Sequence, residues 1–209
     1  MKDYDRKTHW ENIYSTKELE QLSWYQPLPA TSLSFLKQFS IPATAKIIDI
    51  GGGDCLFVDH LLDLGYQDIT VLDISELALD RAKKRLGDRS ANVKWIVEDV
   101  TTFKPDEKFD FWHDRATFHF LTKEREINSY IKTARQSINP SGILVIGTFS
   151  EEGPKKCSGI EIKQYSEAKM TDTLKKYFDK IKCITINHIT PFDTIQNFIF
   201  CSFKRLMIL

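Results

Sequence analysis

The sequence predicts an α/β fold: a three-layer sandwich whose mostly parallel seven-stranded sheet ends in a C-terminal antiparallel hairpin. Between residues 46 and 150, apolar segments of strand length alternate with segments of helical periodicity. Three consecutive glycines directly follow the first strand, and near the C-terminus two strand-like segments follow one another with no helix between them. Apolar strands separated by helices are typical of a parallel sheet covered on both faces, whereas consecutive strands joined by a turn form a hairpin.

The element boundaries follow from apolar periodicity and from capping residues. The predicted strands cover residues 46–50, 69–73, 93–97, 109–113, 143–149, 182–189 and 197–204. The predicted helices lie within 4–15, over 33–39 after a Thr31-Ser32 cap, over 56–64, between Ser75 and Gly87, over 123–138 and over 166–178. The Asn139-Pro140-Ser141-Gly142 segment is predicted to separate a helix from a strand.

Composition and charge disfavour several classes of protein. The 209 residues carry 29 basic and 29 acidic side chains, so no strongly basic domain is available for a nucleic-acid backbone. No apolar run approaches the ~18 residues of a membrane span, and the N-terminus lacks the apolar core of a signal peptide. Four widely separated cysteines without C-x-x-C spacing disfavour a zinc site or a disulfide framework. We therefore expect a cytoplasmic protein without a metal or membrane partner, and a nucleic-acid partner is disfavoured. A monomer or weak dimer is also expected.

The triple glycine marks the turn between the first strand and the first helix of a βαβ unit. Glycine adopts φ > 0 and lets a ligand approach the backbone closely, which favours Gly51, Gly52 and Gly53 as a binding loop. A dinucleotide-binding loop reads Gly-x-Gly-x-x-Gly, but here Leu56 replaces the third glycine. The alternative pattern, Asp-x-Gly-x-Gly, is matched from Asp49 onward.

A carboxylate lies at or just after the C-terminal end of each of the first four predicted strands: Asp49, Asp73, Asp99 and Asp114. In an open α/β sheet, ligands bind beyond these strand ends. Because a carboxylate accepts two hydrogen bonds, Asp73 suits a vicinal ribose diol. Ile74 is then placed to pack on an adenine ring, and Asp99 is placed to accept a hydrogen bond from the adenine amino group. Together the acidic groups favour a cationic ligand that also carries hydroxyl groups.

Over residues 46–150 the chain resembles the SAM-binding half of the class I S-adenosylmethionine (SAM) methyltransferases. Asp49-Ile-Gly-Gly-Gly is similar to the family's motif I, Leu72-Asp73-Ile74-Ser75 to its acidic ribose-binding step, and Glu98-Asp99-Val100 to its adenine-contacting step. The resemblance implies a Rossmann-like methyltransferase with SAM as cofactor and S-adenosylhomocysteine (SAH) as product. The predicted cofactor-binding residues are Asp49, Gly51, Gly52, Gly53, Asp73, Ile74, Asp99, Val100 and Asp114, with Trp10 and Tyr14 of the N-terminal helix as a cover.

A closer resemblance concerns the segments after strands 2 and 4. Gly65-Tyr66-x-Asp68-Ile69 and Asp114-Arg115-Ala116-Thr117-Phe118 are similar to the branch that includes protein-lysine methyltransferases acting on elongation factor. Gly153–Gly159 is more similar to small bacterial methyltransferases. The resemblance implies one domain over residues 1–209, organised as an N-terminal cover at 1–45, a SAM-binding core at 46–150 and an acceptor-side lid, helix and hairpin at 151–209.

Three residues after strand 4 are the catalytic candidates. His119 has an ordinary pKa of ~6.5, which suits proton removal from an acceptor. Asp114, five residues earlier, is a second candidate for the base. Arg115 suits bidentate binding of an acceptor carboxylate, although pairing with Asp114 or Asp110 fits the sequence equally well.

The sequence therefore predicts a SAM-dependent methyltransferase that transfers a methyl group by in-line displacement to a small-molecule nucleophile with S, N or O as the reacting atom. The alternatives are a protein side chain, foremost lysine, as acceptor, and a non-catalytic SAM-binding protein. A dehydrogenase is a further alternative because of the glycine-rich loop. Absence of an Asn-Pro-Pro-Tyr or Asp-Pro-Pro-Tyr end to strand 4 and of a Pro-Cys dipeptide disfavours several nucleic-acid methyltransferases.

Overall fold

The computed structural model describes residues 5–206 and confirms the predicted fold class. Its strands are β1 Lys46–Ile50, β2 Asp68–Asp73, β3 Val93–Val97, β4 Phe109–Arg115, β5 Ile138–Phe149, β6 Lys156–Cys157, β7 Ile160–Glu161, β8 Phe178–Ile189 and β9 Ile195–Arg205. Seven of them form one sheet in the order β3-β2-β1-β4-β5-β9-β8, in which β9 is antiparallel to both neighbours. The order of the strands reverses between β1 and β4, and open α/β sheets bind ligands at such a switch point.

Within residues 5–206, six α-helices complete the fold: α1 Arg6–Thr16, α2 Ala30–Gln38, α3 Phe57–Asp63, α4 Glu76–Leu86, α5 Glu124–Ser137 and α6 Glu167–Leu174. Buried side chains of α2, α3 and α4 pack on one face of the sheet, and those of α5 and α6 pack on the other. The strands between them are buried on both faces, which explains their nearly continuous apolar sequence. No helix within residues 5–206 is long and apolar enough to cross a membrane.

Two boundaries differ from the predicted ones for local reasons. β5 begins at Ile138 rather than at 143, and a register shift opposite β4 accommodates the Asn139–Gly142 segment that the sequence predicts as a break. Within that segment, Asn139 donates a 2.7 Å hydrogen bond to Asp110. α2 begins at Ala30 without a Thr31-Ser32 cap, because the hydroxyl of Ser32 contacts a histidine on β4 instead.

The cysteine prediction is wrong. The sequence disfavours a disulfide, but the structure joins Cys183 to Cys201. These two residues face one another in the register of β8 and β9, so the antiparallel hairpin brings together cysteines that lie 18 residues apart in sequence. Cys55 and Cys157 are free. The single-domain organisation over 1–209 stays a prediction, and residues 1–4 and 207–209 of it lie outside the described part of the chain.

Candidate cofactor-binding cleft

A cleft of about 720 Å³ lies at the C-terminal ends of β1 to β4, beneath α1. Eight residues that the sequence assigns to the site line it: Trp10, Tyr14, Gly51, Asp73, Ile74, Asp99, Val100 and Arg115. They come from α1, the glycine turn and the ends of β2, β3 and β4. The topology therefore brings residues that are more than 100 positions apart in the sequence together in one site.

The glycine turn lies at the floor of this cleft in a conformation that requires glycine. Gly51 and Gly53 have φ values of +64° and +51°, and the amide of Gly51 donates a 2.7 Å hydrogen bond to the carbonyl of Leu72 on β2. A Cβ added to Gly51 would lie 1.8 Å from Oγ1 of Thr117. A side chain at Gly51 would therefore collide with the segment after β4.

Asp73 is the buried carboxylate at the centre of the cleft. Its Oδ1 accepts a 2.8 Å hydrogen bond from the amide of Ser75. Burial raises the pKa of Asp73 to about 7, and the charges of Asp54 and Asp49 contribute to that shift. A cationic ligand with hydroxyl donors would relieve both the desolvation and the repulsion, so the environment of Asp73 fits an adenosyl sulfonium.

Asp99, assigned to the adenine amino group, carries an ion pair with α1. Arg6 donates a 3.0 Å hydrogen bond to Oδ2 of Asp99 and also pairs with Glu126 at 3.1 Å. The other carboxylate oxygen, Oδ1, accepts the amide of Thr101. The carboxylate that the sequence assigns to adenine is therefore already contacted by α1.

α1 covers the cleft through polar contacts. Glu11 accepts hydrogen bonds from the amides of Glu76 and Leu77 at 2.8 and 3.3 Å, and so caps the N-terminus of α4. At the other end of α1, Arg81 donates to the carbonyl of Tyr14 at 2.8 Å. Trp10 and Tyr14, which the sequence assigns to a cover, both line the cleft.

A second, inner cavity of about 430 Å³ adjoins the cleft on the α2 and α3 side of the sheet. Asp49 and Gly52 line this cavity and not the main cleft. His113 donates from Nδ1 to Asp49 at 2.6 Å, and its Nε2 lies 2.9 Å from the hydroxyl of Ser32. The motif I carboxylate is thus fixed by a buried chain of side chains from β1, β4 and α2.

Arg115 forms part of the wall between the two cavities. Its Nη1 donates a 2.9 Å hydrogen bond to the carbonyl of Trp24, and its guanidinium carbon lies 5.2 Å from the ring centroid of Phe198. The buried Nη2 has no hydrogen-bond partner within residues 5–206. Arg115 pairs with neither Asp114 nor Asp110, the two partners that the sequence also allows.

Asp114 and His119, the two candidate bases, lie outside the lining of both cavities. Oδ1 of Asp114 accepts the amides of Thr117 and Phe118 at 3.0 and 3.1 Å, so it holds the turn after β4. The ring of His119 is fully buried, and Nδ1 accepts the amide of Phe149 at 3.3 Å. Burial and the charge of Arg115 lower the pKa of His119 to about 3. Gly53 also lies outside both linings, next to Tyr14 and Asp73.

Ten residues outside the predicted site also line the cleft: Arg6, Trp24, Cys55, Leu72, Glu98, Ala116, Thr117, Phe120, Leu121 and Cys157. Glu98 and Leu72 directly precede predicted site residues. Their position next to those residues at a strand end is the signal in the sequence that could have identified them. Arg6 and Cys157 reach the cleft only because α1 and the β6–β7 hairpin fold over it, and neither carries a motif. No cluster of three or more metal-ligating side chains was found within residues 5–206.

The sheet order, the glycine turn and the position of the cleft are those of a Rossmann-like methyltransferase fold. Residues 47–142 match the family model described as a methyltransferase domain, which confirms the resemblance found in the sequence.

Curated relatives are similar to this chain over part of their length. The "eEF1A lysine and N-terminal methyltransferase" of Mus musculus is 29% identical over 130 residues, which cover 60% of this chain and 18% of the relative. "Malonyl-[acyl-carrier protein] O-methyltransferase 2" of Ilyobacter polytropus is 26% identical over 108 residues, which cover 51% of this chain and 40% of the relative. The chain thus spans well under two thirds of the length of these relatives.

Solved structures are similar over nearly the whole chain. The N-methyltransferase NodS from Bradyrhizobium japonicum, in complex with SAH, superimposes with a TM-score of 0.74 at 17% identity and covers 97% of this chain and 100% of NodS. A SAM-dependent methyltransferase from Anabaena variabilis gives a TM-score of 0.76 at 13% identity, with 98% and 96% coverage. At these identities the likeness concerns the fold.

Proposed function

We propose that this protein transfers the methyl group of SAM to a small-molecule nucleophile by in-line displacement. The observation that carries the proposal is the convergence of Asp73, Asp99 and the Gly51 turn on one cleft at the strand ends. In this arrangement Asp73 accepts hydrogen bonds from the ribose hydroxyls, and Ile74 packs against the adenine. The methyltransferase relatives support the same reaction class.

Bound SAM supplies an electrophilic methyl carbon on a positively charged sulfur. The chain contributes position and shielding from water: α1 covers the cleft, and the Gly51 turn allows close approach of the cofactor to the backbone. Holding two reactants in line is worth up to ~7–11 kcal/mol of a bimolecular barrier. Positioning therefore accounts for much of the catalysis without a dedicated acid or base.

We further propose that neither His119 nor Asp114 acts as the base, since both lie outside the cleft lining. Among the described residues that line the cleft there is no histidine. Burial raises the pKa of the Cys55 thiol to about 12 and that of Cys157 to about 11, so both remain protonated near neutral pH. The acceptor then reacts in a form that carries a free lone pair, as a thiolate, neutral amine or carboxylate.

A small acceptor is favoured because three separate segments contribute to the lining: Trp10 from α1, Trp24 from the connector to α2 and Cys157 from β6. Such cover leaves less access for a protein surface than an open groove does. A protein lysine is the second candidate, and the similarity to a lysine and N-terminal methyltransferase supports it. We also propose a cytoplasmic setting and a monomeric or weakly dimeric state.

The test is methyl transfer from labelled SAM into a cell extract divided by ultrafiltration. Label in the small-molecule filtrate supports the proposal, and label only in the retained protein favours the lysine alternative. SAH binding without transfer into either fraction would indicate a non-catalytic SAM-binding protein. Thermal stabilisation by NADH but not by SAH would instead favour a dehydrogenase.

A further inference from the structure

The guanidinium of Arg115 has a buried, unused donor. Nη1 is engaged by the carbonyl of Trp24, whereas Nη2 has no hydrogen-bond partner within residues 5–206. No carboxylate in this part of the chain forms an ion pair with Arg115. A buried donor on a charged group costs free energy unless it is paired, so this position fits a ligand that supplies an acceptor.

The surroundings of Arg115 are open to such a ligand. Trp24, Gly51, Cys55 and Arg115 line both the main cleft and the inner cavity, so Arg115 lies where the two spaces adjoin. The carboxylate in the inner cavity, Asp49, is held by His113. The residues that share this boundary with Arg115 are thus an indole, a protonated thiol and backbone.

The direction of Arg115 places it on the acceptor half of the molecule. The residues assigned to adenine and ribose follow β2 and β3, on one side of β1. Arg115 is the last residue of β4, and its guanidinium lies over the ring of Phe198 on β9. In the strand order, β4, β5 and β9 all lie on the other side of β1 from β2 and β3. Arg115 and its unused Nη2 donor thus belong to the half of the sheet formed by β4, β5 and β9, whereas the residues assigned to adenine and ribose belong to the other half.

We infer that Nη2 of Arg115 binds a carboxylate of the methyl acceptor, so that the acceptor is a small organic anion. This inference rests on the proposed methyl transfer and names its substrate class. Arginine binds carboxylates through charge-assisted hydrogen bonds that are about twice as strong as neutral ones. Trp24 and Cys55 supply an uncharged wall for the remainder of the anion.

The methionine carboxylate of the cofactor offers the same chemistry, so the experiment must separate the two sources. The protein is saturated with SAH, which occupies the cofactor's own carboxylate site. Matched acid and amide probes are then titrated by ligand-observed NMR: benzoate with benzamide, phenylacetate with phenylacetamide, and butyrate with butyramide. The same proteins are titrated calorimetrically with SAH and with its decarboxylated analogue.

We expect SAH-loaded wild-type protein to bind at least one acid about tenfold more tightly than its amide, which is the effect of one charge-assisted hydrogen bond. Arg115→Gln removes that preference, Arg115→Lys keeps part of it, and Arg125→Gln, an exposed control on α5, leaves it unchanged. SAH affinity stays within about threefold in all three variants.

Equal binding of every acid and its amide by the SAH-loaded wild type would overturn the inference, as would an acid preference that survives in Arg115→Gln. It is also overturned if Arg115→Gln weakens SAH but not the decarboxylated analogue, since the carboxylate is then the cofactor's. If Arg115→Gln does not fold, the inference is still tested by the ratio of acid to amide affinity in the wild type and by the change of that ratio in Arg115→Lys. Failure of the wild type to bind SAH would instead refute the proposed function itself.

Discussion

Arg6 of α1 donates a 3.0 Å hydrogen bond to Asp99, the carboxylate after β3 that the sequence assigns to adenine. The cover of the cleft and the adenine end of the site therefore share one side chain. Because Arg6 also pairs with Glu126 of α5, this contact joins the N-terminal turn of α1 to two elements of the core. Opening of α1 and release of the cofactor are expected to be linked through it.

The first prediction concerns this link. Arg6→Gln removes a partly buried ion pair worth up to about 1 kcal/mol, which corresponds to roughly fivefold in an equilibrium. We expect faster amide exchange over residues 6–16 and an SAH dissociation rate a few-fold higher than that of the wild type. Hydrogen–deuterium exchange and stopped-flow displacement measure the two effects. Arg125→Gln should change neither, and unchanged exchange in Arg6→Gln would refute the link.

The second prediction tests the glycine turn with a matched pair. Gly51 and Gly65 both have positive φ, at +64° and +80°, but only Gly51 faces Thr117, at 1.8 Å from an added Cβ. Gly65→Ala should cost only the backbone strain, about 1 kcal/mol. Gly51→Ala should cost several kcal/mol and abolish measurable SAH binding. Urea unfolding and calorimetry check this, and similar losses from both variants would show that the collision is relieved.

The parts of the site that the sequence predicts are those set by backbone topology. Asp73, Asp99 and Gly51 each follow a strand whose apolar pattern is clear, and parallel strands bring their C-terminal ends to one edge. The orientation of His119 could not be predicted because sequence spacing gives no side-chain direction: the 3₁₀ turn after β4 points its ring into the core against Phe149.

Contacts between distant segments could not be predicted from the sequence. The Ser32–His113–Asp49 chain joins α2, β4 and β1, and its members carry no common motif. The Cys183–Cys201 pair depends on the register of β8 and β9, which the turn between them sets. Such contacts follow from tertiary packing, for which local periodicity contains no signal.

The third prediction uses the pH dependence of stability. Burial raises the pKa of Asp73 to about 7, whereas an unfolded aspartate has a pKa of ~3.9. Between these pH values the folded protein holds a proton that the unfolded chain has released, so Asp73 lowers the free energy of unfolding as the pH rises. Without ligand, the stability of Asp73→Asn relative to the wild type should therefore rise between pH 4.5 and pH 8, by up to about 1.4 kcal/mol per pKa unit shifted.

Urea unfolding of both proteins at pH 4.5, 6 and 8 makes the comparison. The stability gain of Asp73→Asn should be smallest at pH 4.5, grow through pH 6 and level off above about pH 7. Asp114 and His119 are not among the groups that shift the pKa of Asp73, so their titration is common to both proteins and cancels in the difference. A stability difference that is independent of pH would contradict the assigned burial of the charge.

The fourth prediction separates a structural histidine from a catalytic one. His119→Gln removes the acceptor for the amide of Phe149 and leaves a packing defect, so the free energy of unfolding should fall by about 1–3 kcal/mol. SAH affinity should remain within about twofold, because His119 does not line the cleft. Unfolding and calorimetry test both statements. Unchanged stability with lost methyl transfer would restore His119 as the base.

The most direct test of the account is calorimetric titration of SAH into the folded protein and into Asp73→Ala. We predict that the wild-type protein binds SAH at one site per chain. The affinity of Asp73→Ala for SAH should be lower by at least about tenfold, because each hydrogen bond between a charged group and the ribose is worth ~1.5–3 kcal/mol. Absence of SAH binding by folded wild-type protein, or equal affinity of the two proteins, would contradict it.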